Sequence, residues 1–346
     1  MAERRMHFVI PTYEPVGGIV KIFDYVTHAR ALGYHVQVWS RAEYSPDLPL
    51  LQNKQFRHLV DDPEVTFHSN SRLRFGDRDL VMLSLPREYN FAYRHITEGR
   101  SPERVIHIIQ NVRHVNPEWL GGEGTRVLTR AASRISINDV VAKTIEPWLD
   151  PRGLHRVINL GHVTEPFQLA RDGGIGGEGR PIRVAYTTWK SHVGDSVQVA
   201  LRDDPRFEFR AIRETVTWDD LRELYQWSDV FLCTPRSEEG MYLPGLEAMA
   251  AGALVVTPDV GGNMAYCRPD ENCLLVRFED AGDYVAALQR LAAMPSESII
   301  KLRDAGYATT TEFDLASERA GFAAFLDELW GRIETWESAA TAPPLH

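Results

Sequence analysis

The chain reads Arg236-Ser-Glu-Glu-Gly-Met-Tyr-Leu-Pro-Gly-Leu-Glu-Ala-Met-Ala-Ala-Gly252, and this stretch decides the fold class. Apolar Val230 to Leu232 before it predict a short buried strand, and the prolines and glycines that follow break regular structure. Glu247 opens a run of alanine and methionine with high helix propensity. Strand, loop and helix in this order predict a parallel α/β sheet, whose ligands bind at the carboxyl edge of the strands.

The same stretch carries two carboxylates, Glu239 and Glu247, which are separated by seven residues. Free N–H groups and the positive dipole end of a helix attract an anion. A carboxylate near that end is better placed to accept hydrogen bonds from neutral hydroxyls, such as a ribose diol. Two such acceptors predict a polyhydroxylated ligand with an anionic middle. Taken singly, Glu239 could be a solvated loop acid and Glu247 a first-turn helix acid.

Residues 239–252 resemble the E-x7-E signature of retaining GT-B glycosyltransferases, the group 1 or family 4-like set. The resemblance implies an α/β protein of the GT-B class, with two Rossmann-like domains and a cleft between them. It also implies that Glu239 holds hydroxyls of the donor sugar and that Glu247 binds the nucleotide ribose. The backbone lining the sugar diphosphate would belong to three residues, Met241, Tyr242 and Leu243. Tyr242 replaces the second glycine of the usual signature, where the donor sugar subsite is shaped.

Length and composition predict a globular protein of two domains. The 346 residues are 44% hydrophobic and 25% charged, which are ordinary globular values. No apolar run reaches about 18 residues and no export signal follows Met1, so we expect a cytoplasmic protein with at most peripheral membrane contact. The net charge of −10 argues against a nucleic-acid partner. Cys233, Cys267 and Cys273 lack metal-ligand spacing and predict reduced packing residues.

Alternating short apolar segments and helix-like runs predict four segments along the chain. Residues 1–163 would form a Rossmann-like acceptor-side domain, and residues 181–312 a Rossmann-like domain that binds the nucleotide sugar. Residues 164–180 would link them, because five glycines lie between Arg171 and Arg180. Residues 313–346 would be a helix followed by a tail. The resemblance implies that this helix returns to the first domain, although its periodicity equally fits local packing.

Candidate residues in the first half follow two predicted strands. The resemblance places the loop with Gly17 and Gly18 opposite the donor diphosphate and the acceptor, and a simple tight turn is the alternative. Gln110-Asn-Val-Arg-His114 follows an apolar strand, where the family carries a polar group near the reacting carbon. By this likeness Gln110 and Asn111 orient hydroxyls and His114 is a catalytic candidate. A loop histidine without a catalytic role is the alternative for His114.

Sugar transfer from a nucleoside diphosphate builds negative charge on the leaving phosphate, so the site needs a cation or hydrogen-bond donors there. No D-x-D motif lies in an obvious ligand loop, which fits metal-free GT-B chemistry. Lys190 follows the first strand of the second half, and we predict that it is this cation; an ordinary surface lysine is the alternative. The family usually has an arginine shortly before this lysine, where Thr187 and Thr188 stand here. Arg236 or His192 would have to compensate.

A second glycine pair, Gly261 and Gly262, follows the predicted strand Leu254 to Thr257. It resembles the family's glycine pair near the diphosphate, and a turn-forming pair is the alternative. Asn263 stands where a glutamate often follows, and we expect it to supply a polar contact instead.

The sequence thus predicts a metal-independent, retaining hexosyl- or deoxyhexosyltransferase. A nucleoside-diphosphate sugar would be the co-substrate, without a cofactor, and a hydroxyl of a glycan, lipid-linked or natural-product acceptor would receive the sugar. Uridine, thymidine and guanosine diphosphates all remain open, because the resemblance implies base recognition largely through backbone groups. The oligomeric state also remains open. Two alternatives are a sugar-nucleotide epimerase or hydrolase of the same shape and a catalytically degenerate scaffold protein.

Overall fold

The computed structural model describes residues 4–15, 17–69, 74–76, 78–169, 171, 174–176, 179–214 and 216–341. The chain divides into two compact units. The first comprises Met1–Asn159 together with Leu315–His346, and the second comprises Leu160–Asp314. Each unit is an α/β structure around its own parallel sheet.

The sheet of the first unit has seven strands within the described residues: β1 (Arg5–Ile10), β2 (His35–Ser40), β3 (Val65–Ser69), β4 (Asp79–Leu83), β5 (Val105–Ile109), β6 (Ser133–Ser136) and β7 (His155–Val157). Their spatial order is β3-β2-β1-β4-β5-β6-β7, and all neighbours are parallel. The chain winds outward in opposite directions from β1 and β4. Their carboxyl ends therefore flank a topological switch point, where open α/β sheets bind ligands.

The strands of the first unit are connected in part by five helices: α1 (Gly17–Ala31), α2 (Pro49–Gln52), α3 (Pro86–Ile96), α4 (Glu123–Leu128) and α5 (Asp139–Ile145). The sequence predicted that Gly17 and Gly18 lie in a loop, whereas the structure includes both in α1. The helix begins at Gly17, so Gly17 and Gly18 form its first turn, and neither has a positive φ. The tight-turn alternative for this pair is therefore wrong.

The sheet of the second unit contains five strands in the described part of the chain: β8 (Ile182–Thr187), β9 (Phe207–Ile212), β10 (Val230–Leu232), β11 (Leu254–Pro258) and β12 (Cys273–Val276). The order is β12-β11-β10-β8-β9, again entirely parallel. Central β10 is apolar throughout and fully buried, as expected for a strand with both faces covered. The switch point of this sheet lies between β8 and β10.

The second unit also contains five described helices: α6 (Val193–Ala200), α7 (Trp218–Trp227), α8 (Leu243–Ala250), α9 (Ala281–Ala293) and α10 (Ser296–Thr310). Helix α8 packs against α7 and α10, and α6 packs against α9. Right-handed crossovers put these two groups on opposite faces of the sheet. Helix α10 was not predicted, because only a narrow stripe of it that includes Ile299 and Leu302 is both apolar and buried.

The three cysteines are free and buried, as predicted. The predicted linker, residues 164–180, is described only in part, because residues 170, 172, 173, 177 and 178 lie outside the described residues. The described portion is part of the second unit. The Leu169 amide donates to the Ala250 carbonyl at 3.3 Å, and the Arg171 guanidinium donates to backbone carbonyls of Tyr225, Gln226 and Ala251.

The C-terminal helix α11 (Leu315–Thr341) belongs to the first unit. A buried charge cluster joins it to α1. Lys21 Nζ lies 2.9 Å from Glu318 Oε2 and 2.7 Å from Asp24 Oδ2, and His28 Nε2 lies 2.9 Å from Glu318 Oε2. Although α11 has 27 residues, neither it nor any other described helix is long and apolar enough to cross a membrane.

We expect Glu318→Gln to lower the free energy of unfolding by about 3 kcal/mol at pH 7, because it removes one of the two carboxylates that compensate the buried Lys21 ammonium and also the carboxylate partner of His28. Burial raises the pKa of Glu318, but Lys21 and His28 outweigh it and lower the pKa below the ordinary 4.5. The stabilisation is therefore complete above pH 4.5 and is lost as the pH falls toward the lowered pKa of the folded state. Urea unfolding at pH 7 and at pH 4 measures both effects.

The pH dependence of the Glu318→Gln variant should be shallower than that of the wild type between these two pH values. Glu328→Gln is the matched control. Glu328 lies on α11, like Glu318, but it forms an exposed ion pair with Arg156 of β7. Its substitution should change the free energy of unfolding by less than about 1 kcal/mol. Equal stability of Glu318→Gln and wild type at pH 7 would contradict the prediction.

Candidate active site

The switch point of the second unit brings together two predicted site residues. Lys190 lies in the loop that follows β8, and Glu239 lies in the loop that follows β10. Because β8 and β10 are adjacent and parallel, both loops leave the same edge of the sheet. Lys190 Nζ lies 2.6 Å from Glu239 Oε1. The Lys190 side chain is 35% exposed and the Glu239 side chain only 7%, so this ion pair presents its cation to solvent.

Glu239 is fixed by its backbone as well as by its carboxylate. Its amide donates to the Val260 carbonyl at 3.2 Å, and its carbonyl accepts from the Gly262 amide at 3.0 Å. Its carboxylate also accepts from the Arg236 amide at 3.3 Å. The Glu239 loop is thereby attached to the loop that follows β11. Of the two residues proposed to compensate for the missing family arginine, Arg236 has an exposed side chain, and the exposed His192 pairs with Asp195.

Gly262 is required by the contact between these two loops. A Cβ atom at this position would lie 1.8 Å from the Gly240 carbonyl oxygen, far inside van der Waals contact. The neighbouring Asn263 is fully buried, and its amide group donates to Thr257 Oγ1 and to the Pro258 carbonyl. Asn263 therefore holds the β11 loop together instead of offering the expected polar contact to a ligand.

We expect Gly262→Ala to lower the free energy of unfolding by about 1–3 kcal/mol, because the methyl group must push the Gly240 backbone away. The displaced loop carries Glu239, so sugar transfer should fall as well. Urea unfolding followed by circular dichroism measures the first effect. Gly331→Ala is the control, since a Cβ there meets open space in α11 and should be neutral or slightly stabilising. Equal destabilisation by both substitutions would show that the loop contact is not the cause.

Tyr242 is buried and packs against Lys190. It precedes the first residue of α8, is 1% exposed, and its ring centroid lies 5.1 Å from Lys190 Nζ. An ammonium over a tyrosine ring at this distance is a cation–π contact. The Tyr242 carbonyl accepts from the Tyr266 hydroxyl at 2.5 Å, which fixes the backbone of the segment. Its neighbours in the segment are Met241, which is buried, and Leu243, which is half-buried.

Glu247 lies deeper in α8 than the sequence predicted. Because Leu243 and Pro244 already belong to the helix, Glu247 stands in its second turn, and the expectation of a first-turn position is wrong. Its side chain is 5% exposed. Oε1 lies 2.8 Å from His162 Nε2, and Oε2 accepts from the Tyr225 hydroxyl at 3.0 Å. Both oxygens have protein partners, yet a carboxylate retains further lone pairs for ligand hydroxyls.

The two partners of Glu247 are His162 and Tyr225, and both are distant from it in the sequence. Neither His162 nor Tyr225 is among the candidate residues predicted from the sequence. Burial and the Glu247 carboxylate raise the pKa of Tyr225 well above its ordinary value, so its hydroxyl remains a donor at neutral pH. No spacing signal could have linked these residues, because they lie 85 and 22 positions from Glu247.

The candidates of the first unit form a separate group at the carboxyl edge of its sheet. Gln110 follows β5, and its Nε2 donates to the Gly18 carbonyl at 3.0 Å. A Cβ on Gly18 would lie 3.4 Å from Gln110 Oε1, whereas one on Gly17 would meet open space. The Asn111 side chain accepts from the Arg113 amide and thereby caps a short helical turn.

His114 is buried behind this edge. It is 2% exposed, its Nδ1 lies 3.0 Å from the Asn111 carbonyl oxygen, and its ring packs against His107 and Trp119. Burial lowers the pKa of His114 to about 4, so the imidazole is neutral at physiological pH. Its catalytic role stays a prediction, and its burial favours the alternative of a packing histidine.

The chain matches known proteins at two levels. The family model described as glycosyl transferases group 1 matches residues 192–294, a range that contains Glu239, Glu247 and Gly262. No curated protein sequence matches the chain significantly.

Solved structures with the same fold cover almost the whole chain. Anabaena HepE in complex with UDP and glucose is 15% identical, with a TM-score of 0.66 over 94% of this chain and 100% of that chain. Sucrose-phosphate synthase from Thermosynechococcus elongatus is 15% identical, with a TM-score of 0.66 over 95% and 100%. A UDP-forming trehalose-phosphate synthase from Burkholderia vietnamiensis is 13% identical, with a TM-score of 0.62 over 94% and 100%. The predicted α/β class is confirmed: the chain has the GT-B fold of these structures, and its residues 192–294 are similar to the glycosyl transferases group 1 family.

Proposed function

We propose that this chain is a metal-independent, retaining glycosyltransferase that transfers a hexosyl or deoxyhexosyl unit from a nucleoside-diphosphate sugar to an acceptor hydroxyl. The observation that carries the proposal is the Lys190–Glu239 pair of 2.6 Å at the switch point of the second sheet. One member is a cation that can meet a diphosphate, and the other is an acceptor for sugar hydroxyls. Glu247 supplies a second acceptor for the ribose.

Lys190 stabilises the leaving group in this scheme. Cleavage of the bond between the anomeric carbon and the diphosphate oxygen leaves negative charge on that phosphate. The Lys190 ammonium has three N–H donors, and the pair with Glu239 uses one of them. A phosphate oxygen can therefore approach the ammonium from its exposed side. A cation already held in place costs no reorganisation when the charge develops.

Retention follows if the acceptor oxygen attacks the face of the anomeric carbon from which the diphosphate leaves. The leaving phosphate oxygen takes the proton of the acceptor hydroxyl, so no protein base is needed for that step. The new glycosidic bond forms as the bond to phosphate breaks, and the nucleoside diphosphate departs with the proton. Protein groups then act mainly by positioning and by stabilising charge. Gln110 and the backbone at Gly18 are the first-unit groups that we assign to hydroxyl positioning.

Metal independence is supported by the location of the acidic residues that could form a D-x-D metal motif. The one D-x-D triplet of the sequence is Asp77-Arg78-Asp79, and Asp77 lies outside the described residues. Asp79 begins β4, so it stands at the amino end of that strand, opposite to the edge that binds ligands. Its Oδ2 lies 2.8 Å from His7 Nε2, and the residue is 3% exposed. This acid is committed to a buried contact in the sheet.

The test is transfer by the purified chain with a panel of donors and acceptors. UDP-glucose is the first donor to use, because HepE binds it, followed by GDP-mannose and dTDP-rhamnose. Nuclear magnetic resonance of the product should show the anomeric configuration of the donor. Treatment with EDTA should leave the rate unchanged. An inverted product would contradict retention, and a rate abolished by EDTA and restored by a divalent cation would contradict metal independence.

Incubation without an acceptor separates the alternatives. An epimerised sugar nucleotide, or hydrolysis as fast as transfer, would favour an epimerase or hydrolase. Absence of binding to every nucleoside diphosphate in calorimetry would favour a degenerate scaffold protein. Two departures from the family pattern, Tyr242 and the missing arginine, would then agree with that result.

A further inference from the structure

Trp218 is an exposed aromatic residue close to the site. It is the first residue of α7, directly after Thr217, whose side chain and backbone form a capping box with Asp220. Because α7 follows β9, Trp218 lies at the same carboxyl edge of the sheet as the Lys190 and Glu239 loops. It nevertheless remains 41% exposed, so local packing does not use its whole indole surface.

Two aromatic side chains hold the indole. Its ring centroid lies 6.3 Å from that of His162 and 6.0 Å from that of Phe167, at interplanar angles of 37° and 44°. Phe167 in turn packs edge-on against Tyr225, at 5.8 Å between centroids. Trp218 is thus held by two aromatic contacts while 41% of its surface remains exposed.

Two of these aromatic residues, His162 and Tyr225, also contact Glu247, the residue that we assign to the ribose. His162 Nε2 lies 2.8 Å from one oxygen of Glu247, and the Tyr225 hydroxyl donates to the other. A single imidazole therefore separates the exposed indole from the buried carboxylate. The exposed indole and the carboxylate assigned to the ribose thus share His162 as a neighbour, so a flat aromatic surface lies close to an acceptor for hydroxyls.

We propose that Trp218 is the stacking platform for the nucleobase of the donor. This inference rests on the proposed function, since it requires a nucleoside-diphosphate donor whose ribose reaches Glu247. The base lies on the exposed surface of the indole, and the contacts with His162 and Phe167 keep the ring in place. Every base has a π face, so stacking supplies affinity without choosing among bases. Base affinity in this chain thus depends on a side chain, beyond the backbone recognition that the resemblance implies.

Calorimetry with Trp218→Ala tests the platform. UDP should bind this variant about 5- to 100-fold more weakly than the wild type, in line with the stacking energy of one base on an aromatic side chain. Trp218→Phe should recover part of the loss, because it keeps a smaller π face. Ribose 5-phosphate and inorganic pyrophosphate have no base, so their affinities should not depend on Trp218. UDP should also quench more tryptophan fluorescence in the wild type than in Trp218→Phe.

Trp336→Ala is the matched control. Trp336 is also 41% exposed, but it lies on α11 of the first unit, and its removal should leave UDP binding unchanged. Circular dichroism of each variant verifies that it is folded.

Three outcomes would overturn the platform. UDP binding equal in wild type, Trp218→Ala and Trp218→Phe would overturn it while leaving the proposed function intact. Equal weakening of UDP and pyrophosphate would also overturn it, because the effect would then not concern the base. A wild type that binds neither UDP, GDP nor dTDP would overturn the proposed function together with the platform.

Discussion

The Lys190→Ala variant is expected to turn over about 100- to 1000-fold more slowly than the wild type, with a much smaller change in KM for the donor. Removing one preorganised donor from a developing oxyanion has an effect of this size in other enzymes. The substitution also leaves the Glu239 carboxylate, 7% exposed, without its cation 2.6 Å away. That unpaired charge would repel the leaving phosphate further. Initial rates at varied donor concentration separate kcat from KM.

Two other variants serve as controls for the Lys190→Ala prediction. Lys301→Ala removes an exposed lysine from α10 of the same unit and should leave kcat unchanged. Lys190→Arg keeps the charge but changes its geometry, so we expect partial activity. A kcat of Lys190→Ala within twofold of the wild type would rule out the assigned role of Lys190 in leaving-group stabilisation.

The Glu247→Ala variant should lose both stability and donor binding. It leaves His162 Nε2 and the Tyr225 hydroxyl buried without their acceptor, and each such group costs about 1–3 kcal/mol. We therefore expect the free energy of unfolding to fall by about 2–5 kcal/mol. Binding of UDP should become too weak to measure by calorimetry, because the ribose also loses its acceptor. Urea unfolding and calorimetry on the folded variant measure the two losses separately.

Conservative variants distinguish the structural from the binding contribution of Glu247. Glu247→Gln keeps the shape and one acceptor oxygen, so it should recover most of the stability but less of the affinity for UDP. Glu223→Ala, which removes an exposed acid from α7, should change neither. If Glu247→Ala were as stable as the wild type, the contacts of Glu247 with His162 and Tyr225 would have no energetic importance.

Local sequence signals predicted most strands and helices of both units, because glycine and proline end regular structure and apolar runs form buried strands. The capping box of Thr217 and Asp220 is a local signal of the same kind, because it depends on two residues three positions apart. The predicted first residues of the helices were less accurate. Pro244 looked like part of the loop, yet proline is favoured in the first turn of a helix, so α8 begins earlier and Glu247 falls one turn deeper.

The residue pattern alone determined the α/β class and identified the E-x7-E segment, since both depend on periodicity and spacing over a few residues. Which side chains contact one another at the edge of the sheet was decided only by the tertiary structure. Lys190 meets Glu239 from 49 positions away, and His162 meets Glu247 from 85 positions away. Parallel strands bring loops that are distant in the chain to one edge, and a buried polar group must find a partner among whatever packing places there.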